Sequence, residues 1–202
     1  MPLTSPQKQV IESQARNRVL ITGRRFGKTF IAIGELLNFA CKEPKQKVWY
    51  VAPTYRQAKQ ICWQKLKEIA IENDLVNYIN ETDLTIRLHN NSEISLRGAD
   101  RSADTLRGVG LNFLVLDEFA DIPSDAWFSV LRATLSDTKG SVFMCGTPRG
   151  YGNWAYDLYM KGKEDKDWKS WQFTTLQGGQ VEADEIEAAK SDLDERTFRQ
   201  EY

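Results

Sequence analysis

Two stretches of the chain carry side chains suited to chemistry on a phosphate. One is Thr22-Gly23-Arg24-Arg25-Phe26-Gly27-Lys28-Thr29; the other is Asp117-Glu118. Glycines let a backbone turn tightly around an anion. The amides of about residues 25 to 29 then point inward, at the positive end of a following helix. The Lys28 ammonium can reach terminal phosphates, and the Thr29 hydroxyl can hold Mg²⁺. Asp117 would hold the same ion through water, while Glu118 would orient and deprotonate an attacking water. Phosphoryl transfer asks mainly for positioning and charge neutralisation, so this set predicts hydrolysis of a nucleoside triphosphate.

The loop departs from the G-x-x-x-x-G-K-[ST] pattern. Gly23 stands one residue too close to Gly27, so Thr22 takes the first position. Arg24 and Arg25 fill places where small residues are usual. They read either as solvated surface charge or as contacts to the γ-phosphate or a neighbouring element. Further candidates lie outside the two stretches. Arg107, beside Gly108, could reach the charge that develops on the phosphoryl group, a contribution worth ~10³–10⁵ in rate; Arg101 competes, and a surface salt bridge is the plainer role. Thr147 ends an apolar strand and could sense the γ-phosphate, or simply close a turn. Gln7, ahead of the loop, could read adenine through paired amide hydrogen bonds. Gln9 competes, and an exposed helix glutamine is the alternative.

These residues need elements to hold them. Val19 to Thr22 read as a short buried strand, and Phe30, Ile31, Ile33, Leu36 and Leu37 give the following run a helical period. Val48 to Ala52, Phe113 to Leu116 and Ser141 to Cys145 are further unbroken apolar runs, which suits strands buried on both faces of a parallel sheet. Residues 4 to 15, 55 to 72 and 124 to 135 show helical patterning. Leu84 to Leu88 and Ile94 to Leu96 alternate around a polar turn and predict a hairpin. Alternating strands and helices give an α/β domain with a mainly parallel sheet. A core over residues 1–150 is expected, with a small lid or linker subdomain over 151–202 holding a strand near 168–174 and an acidic helix from about Glu182.

Composition narrows the options. A length of 202 residues fits one domain with a small appendage. Three cysteines without metal-ligand spacing suggest reduced thiols in a cytosolic setting. A single histidine, His89, argues against a histidine triad or a His-rich zinc site. No apolar run reaches membrane-spanning length, and no signal-peptide pattern is visible. Net charge is −1, yet residues 1–150 carry 20 Lys/Arg against 16 Asp/Glu, and residues 151–202 carry 7 against 12. That asymmetry permits a local basic surface.

Together the double-arginine loop Gly23–Thr29, Val51-Ala52-Pro53-Thr54-Tyr55-Arg56-Gln57-Ala58, Leu106-Arg107-Gly108, Asp117-Glu118 and Gly146-Thr147-Pro148-Arg149-Gly150 resemble the ATPase domain of the large terminase subunit, the DNA-packaging motor of tailed bacteriophages. The resemblance spans nearly the whole chain. It implies a P-loop NTPase fold of the ASCE type, ATP as substrate and Mg²⁺. It also implies Gln7 in an adenine motif, Glu118 as catalytic base, Arg107 as a finger given to the neighbouring subunit, and Thr147 as coupling residue. Implied partners are double-stranded DNA, the portal protein, the small terminase subunit and further large-subunit copies in a pentameric ring. The setting is the cytoplasm of an infected bacterium, transiently at the procapsid portal. Large terminases continue into a nuclease domain, so residues 198–202 resemble a junction and no nuclease activity is expected here. A superfamily 2 helicase-like ATPase, a small-molecule kinase and a nucleotide-gated binding module are the alternatives.

Overall fold

A computed structural model describes residues 3–100 and 106–202. Arg101 lies outside the described residues. The helix α1 (Ser5–Ile11) precedes strand β1 (Asn17–Thr22), the loop, and α2 (Lys28–Lys42). Strand β2 (Lys47–Ala52) leads into a continuous helical stretch: α3 (Tyr55–Ala58), a π-helical turn over Lys59–Trp63, and α4 (Gln64–Glu72). Strands β3 (Val76–Asn80), β4 (Thr85–Leu88), β5 (Glu93–Gly98) and β6 (Phe113–Asp117) follow. A π-helical turn over Ala126–Leu131 and the short α5 (Arg132–Thr134) lead to β7 (Ser141–Gly146). Helix α6 (Trp154–Glu164), strand β8 (Trp168–Phe173), α7 (Thr175–Gly178), α8 (Ala183–Asp192) and α9 (Glu195–Glu201) complete the order.

Among the described residues, eight strands form one sheet in the order β3-β4-β5-β2-β6-β7-β1-β8. From β5 to β8 every neighbouring pair is parallel, and only the β3–β4–β5 edge is antiparallel. Period-two alternation explains how it is buried. Leu20, Tyr50, Val115 and Cys145 enter the core beneath α1, α2 and the 55–72 helix, whereas Val19, Trp49, Val51, Leu114, Leu116 and Met144 enter the core beneath α6 and residues 126–135. Both faces are covered, as parallel sheets require. The apolar strands and the β4–β5 hairpin lie where their residue patterns predict. Strand β3, with the polar sequence Val-Asn-Tyr-Ile-Asn, carries no such signal and escaped the sequence reading. The strand at 168–173 is not separate from the sheet: it pairs with β1 over six residues, so the sheet continues beyond residue 150.

Topology positions the site. The chain leaves β1, passes over β7 and β6, and returns as β2. That change of direction opens a crevice at the carboxyl ends of β1, β6 and β7, where open α/β sheets take their ligands. Buried Arg18 on β1 pairs with buried Glu35 on α2 and lies over the Phe113 and Phe143 rings, which ties the loop's flanking elements together.

Candidate active site at the carboxyl edge of the sheet

The loop between β1 and α2 is shaped by two left-handed residues, Arg25 (φ 60) and Gly27 (φ 100). Gly27 is the N-cap of α2 and offers no side-chain cap. The first amides of a 15-residue helix are therefore left to an anion. A Cβ on Gly27 would meet the amide ends of Gln7 and Gln180 at 2.8 and 3.0 Å, but it is the left-handed backbone that calls for glycine there. Thr22 is fully buried and donates to the Gly23 carbonyl at 3.0 Å, which closes the first turn of the loop. Phe26 is buried and stacks on Phe173 of β8 at 5.5 Å.

Lys28 is 9% exposed, and its Nζ lies 3.5 Å from the Gly23 carbonyl and 3.6 Å from Glu118 Oε1. The other carboxylate oxygen of Glu118 accepts from the Thr147 amide at 3.2 Å and the Thr147 hydroxyl at 3.1 Å. Lys28, Glu118 and Thr147, widely separated in sequence, therefore form one contact set. Glu118 adopts a left-handed backbone (φ 47), unusual for a residue with a Cβ and of a kind that gathers at active sites. This turn ends the strand, and the Glu118 carboxylate sits between Lys28 and Thr147.

Asp117 is 2% exposed. Its Oδ2 accepts from the Tyr50 hydroxyl, and its Oδ1 from the Glu118 amide at 3.0 Å and the Cys145 thiol at 3.3 Å. Burial pushes its carboxyl upward; donation from Tyr50 opposes this, and the Glu118 charge adds to it. Burial and the Asp117 charge likewise push the Tyr50 phenol and the Cys145 thiol well up, so both stay protonated donors. Thr29 is the second residue of α2 and half-buried. A hydroxyl and a buried carboxylate suit a hard cation whose remaining ligands are phosphate oxygens and waters, the usual arrangement for Mg²⁺. Among the described residues, no group of three or more His, Cys, Asp or Glu could hold a metal by itself.

The remaining sequence candidates lie as follows. The amide of Gln7 is buried and engaged within the protein: Nε2 donates to the Phe26 carbonyl at 2.7 Å, and Oε1 accepts from the Thr4 amide at 2.9 Å. It braces the loop. Gln9 is exposed on α1. Arg24 pairs with Glu201 of α9, and its amide donates to the Glu201 carbonyl at 2.6 Å. Arg25 is exposed, as is Arg107, which follows buried Leu106 and precedes Gly108 (φ 78). Arg149 makes a forked pair with Asp121 at 2.9 and 2.8 Å, and reaches Glu201 at 3.9 Å.

Several residues at the site carried no sequence signal. Thr175 donates to the Arg24 carbonyl at 2.8 Å, and its amide to the Tyr202 carbonyl at 2.8 Å. Gly178 packs so tightly on the loop that a Cβ would lie 2.6 Å from Phe26 Cα. Tyr50 and Cys145 reach Asp117 through strand register alone.

A strand, a glycine-bounded turn, a helix with open amides and a neighbouring strand ending in paired carboxylates define a P-loop nucleotide-binding α/β domain. Residues 19–202 match the family model described as terminase large subunit, T4-like virus type, N-terminal. The chain belongs to that family. The large terminase subunit of Escherichia phage T5 is 35% identical over 185 residues, covering 89% of this chain and 41% of that relative. That of Thermus phage G20c is 29% identical over 174 residues, covering 77% and 36%. The chain thus spans about two fifths or less of the curated relatives it matches. A solved ATPase domain from the large terminase of Thermus phage P74-26 superposes with a TM-score of 0.85 at 26% identity, covering 97% of this chain and 90% of that one. The fold is shared too with the large terminase of a thermophilic bacteriophage in complex with ADP (TM-score 0.86, 16% identity, 99% of this chain and 52% of that one).

Proposed function

We propose that this chain hydrolyses ATP and that, in the whole protein, hydrolysis drives double-stranded viral DNA into a procapsid. The observation that carries the reading is the contact set Lys28–Glu118–Thr147 at the mouth of the phosphate loop. Lys28 and the loop amides take the terminal phosphates, and Thr29 with Asp117 would hold Mg²⁺, which when bound neutralises phosphate charge. Glu118 turns a water toward the γ-phosphate and accepts its proton. Thr147, bonded to that carboxylate, feels any change in its position. Gln7 reads adenine only by giving up its bonds to Phe26 and Thr4; as it stands, its amide holds the loop. Thr22 and Gly23 shape the loop, Arg24 and Arg25 carry its exposed side, and Phe26, anchored in the core, offers nucleotide only its backbone amide.

Within residues 151–202, the lid role falls to residues 175–202, because 168–173 is built into the sheet. Arg107, exposed beyond Leu106, acts as a finger toward the nucleotide of an adjoining subunit. The ring of large-subunit copies, the portal protein and the small terminase subunit are the partners this role requires, in the cytoplasm of the infected cell. Among the described residues no helix is long and apolar enough to cross a membrane. No nuclease chemistry is assigned to this chain. Phosphate release measured with and without DNA tests the central reading: steady, Mg²⁺-dependent turnover of ATP is expected, and nucleotide binding with no turnover would leave only a nucleotide-gated module. Mixing Arg107→Ala with Glu118→Gln tests the finger. Partial rescue of hydrolysis in assembled mixtures is expected, and no rescue where mixed assembly is demonstrated would place Arg107 elsewhere.

A further inference from the structure

Tyr50 and Cys145 are fully buried polar side chains, and both spend their hydrogens on one carboxylate. Sheet register makes this possible. Tyr50 on β2 stands beside Val115 on β6, and Val115 shares its face with Asp117 two residues on. A side chain as long as tyrosine spans that offset along the face. Cys145 on β7 stands directly beside Asp117. The carboxylate is therefore flanked by a donor from each neighbouring strand, and the Glu118 amide supplies a third.

A carboxylate with a single partner can rotate about its last torsion. Donors on both oxygens, from strands on opposite sides, fix its plane. We propose that Tyr50 and Cys145 are positioning residues for the magnesium-holding carboxylate: they set Asp117 in its working orientation before nucleotide and metal arrive. This rests on the assignment of Asp117 above. Outer partners of this kind orient metal-holding groups, and losing one typically costs about 10–100-fold in metal affinity. The lower end fits a group that acts through water. Tyr50 does the larger share, because its O–H is a stronger donor than a thiol. Neither residue touches nucleotide in this scheme, so a defect in either shows first in the demand for metal.

The test uses Mn²⁺ as the probe, with binding to the chain and a non-hydrolysable ATP analogue followed by loss of the free-ion electron paramagnetic resonance signal. Tyr50→Phe keeps the ring and removes the hydroxyl. It should weaken Mn²⁺ binding about tenfold, raise the Mg²⁺ needed for half-maximal hydrolysis by a similar factor, and leave analogue affinity in EDTA unchanged. Cys145→Ala should weaken Mn²⁺ about threefold, and Cys145→Ser should restore it. Asp117→Asn sets the scale. If it abolishes the metal dependence while Tyr50→Phe and Cys145→Ala leave Mn²⁺ affinity unchanged, the positioning role is wrong. If Asp117→Asn itself leaves Mn²⁺ affinity intact, the assignment of Asp117 to the metal falls first. Should Tyr50→Phe fail to fold, the Cys145 pair decides.

Discussion

Two regions meet at the phosphate loop, and they are built differently. On one side, Lys28, Asp117, Glu118 and Thr147 sit at the ends of buried elements whose side chains are shut in on both faces of the sheet. On the other, α8 and α9 contain no buried residue at all. The C-terminal segment is joined to the loop by Thr175, by the Arg24–Glu201 pair, by one backbone hydrogen bond from the Arg24 amide to the Glu201 carbonyl, and by the packing of Gly178 on Phe26. Polar contacts of that kind cost little to break singly, whereas moving a strand end disturbs close-packed core. The chemical groups are thus set in close-packed core, whereas α8 and α9 bury nothing and the segment holds to the loop mainly through α7 and Glu201. Few buried contacts predict low local stability for α8 and α9.

The sharpest way to break this contrast is at the fixed side. Lys28→Ala should bring ATP hydrolysis to background and weaken nucleotide binding, since it removes the ammonium facing the terminal phosphates. Unchanged turnover would sink the loop assignment. Glu118→Gln should lower turnover by about 10²–10⁴-fold, the usual worth of a general base, while ATP still binds. The amide can keep one contact to Thr147, so the fold should hold; a variant that neither binds ATP nor melts cooperatively would make Glu118 a structural residue.

A smaller effect tests how the fixed side trades stability for chemistry. Burial raises the Asp117 carboxyl above its ordinary value. The folded state therefore binds this proton more tightly than the unfolded chain. The resulting penalty is absent below the unfolded value, grows as pH rises, and is complete above the raised folded value. Asp117→Asn should melt higher than the parent near neutral pH without nucleotide, and the gap should narrow on acidification. A gap independent of pH would remove the buried charge as its cause.

The weakest effect belongs to the loose side. Arg24 is 67% exposed in its pair with Glu201, so the pair contributes less than about 1 kcal/mol. Glu201→Gln should leave the melting temperature nearly unchanged. Hydrogen exchange should nevertheless quicken at the Arg24 and Thr175 amides, which donate to the Glu201 and Tyr202 carbonyls. Protection unaltered at both amides would show that the segment is held by something other than this pair.

The same contrast explains what could be read from the sequence. The phosphate loop, the apolar strands and the Asp117-Glu118 pair are local patterns, because strand, turn and helix periods are written in neighbouring residues. Strand order is not local. That Tyr50 and Cys145 flank Asp117 follows from β2 and β7 being the neighbours of β6, and no spacing in the chain encodes it. Glu201 on Arg24 and Thr175 on the loop depend on how the last 30 or so residues fold back, which is equally silent. Gln7 illustrates the limit within a motif: its place ahead of the loop is visible, but its engagement with Phe26 and Thr4 depends on where α1 packs.

Strand β8 also has a mechanical side. It runs parallel to β1 along six paired residues, and β1 feeds directly into the phosphate loop. Tension applied through residue 202 first peels away α8 and α9, which bury no residue, and then draws α7 off the loop. It then pulls β8 along its own axis, which loads the whole β1–β8 ladder in shear, so its hydrogen bonds resist in concert instead of opening one by one. In an optical trap gripping residues 17 and 202, a low-force extension should precede a single high-force rupture. Gradual yielding from the start would mean that the strand unzips. A sheet edge wired this way can carry tension to the residue that opens the phosphate loop without tearing at the joint.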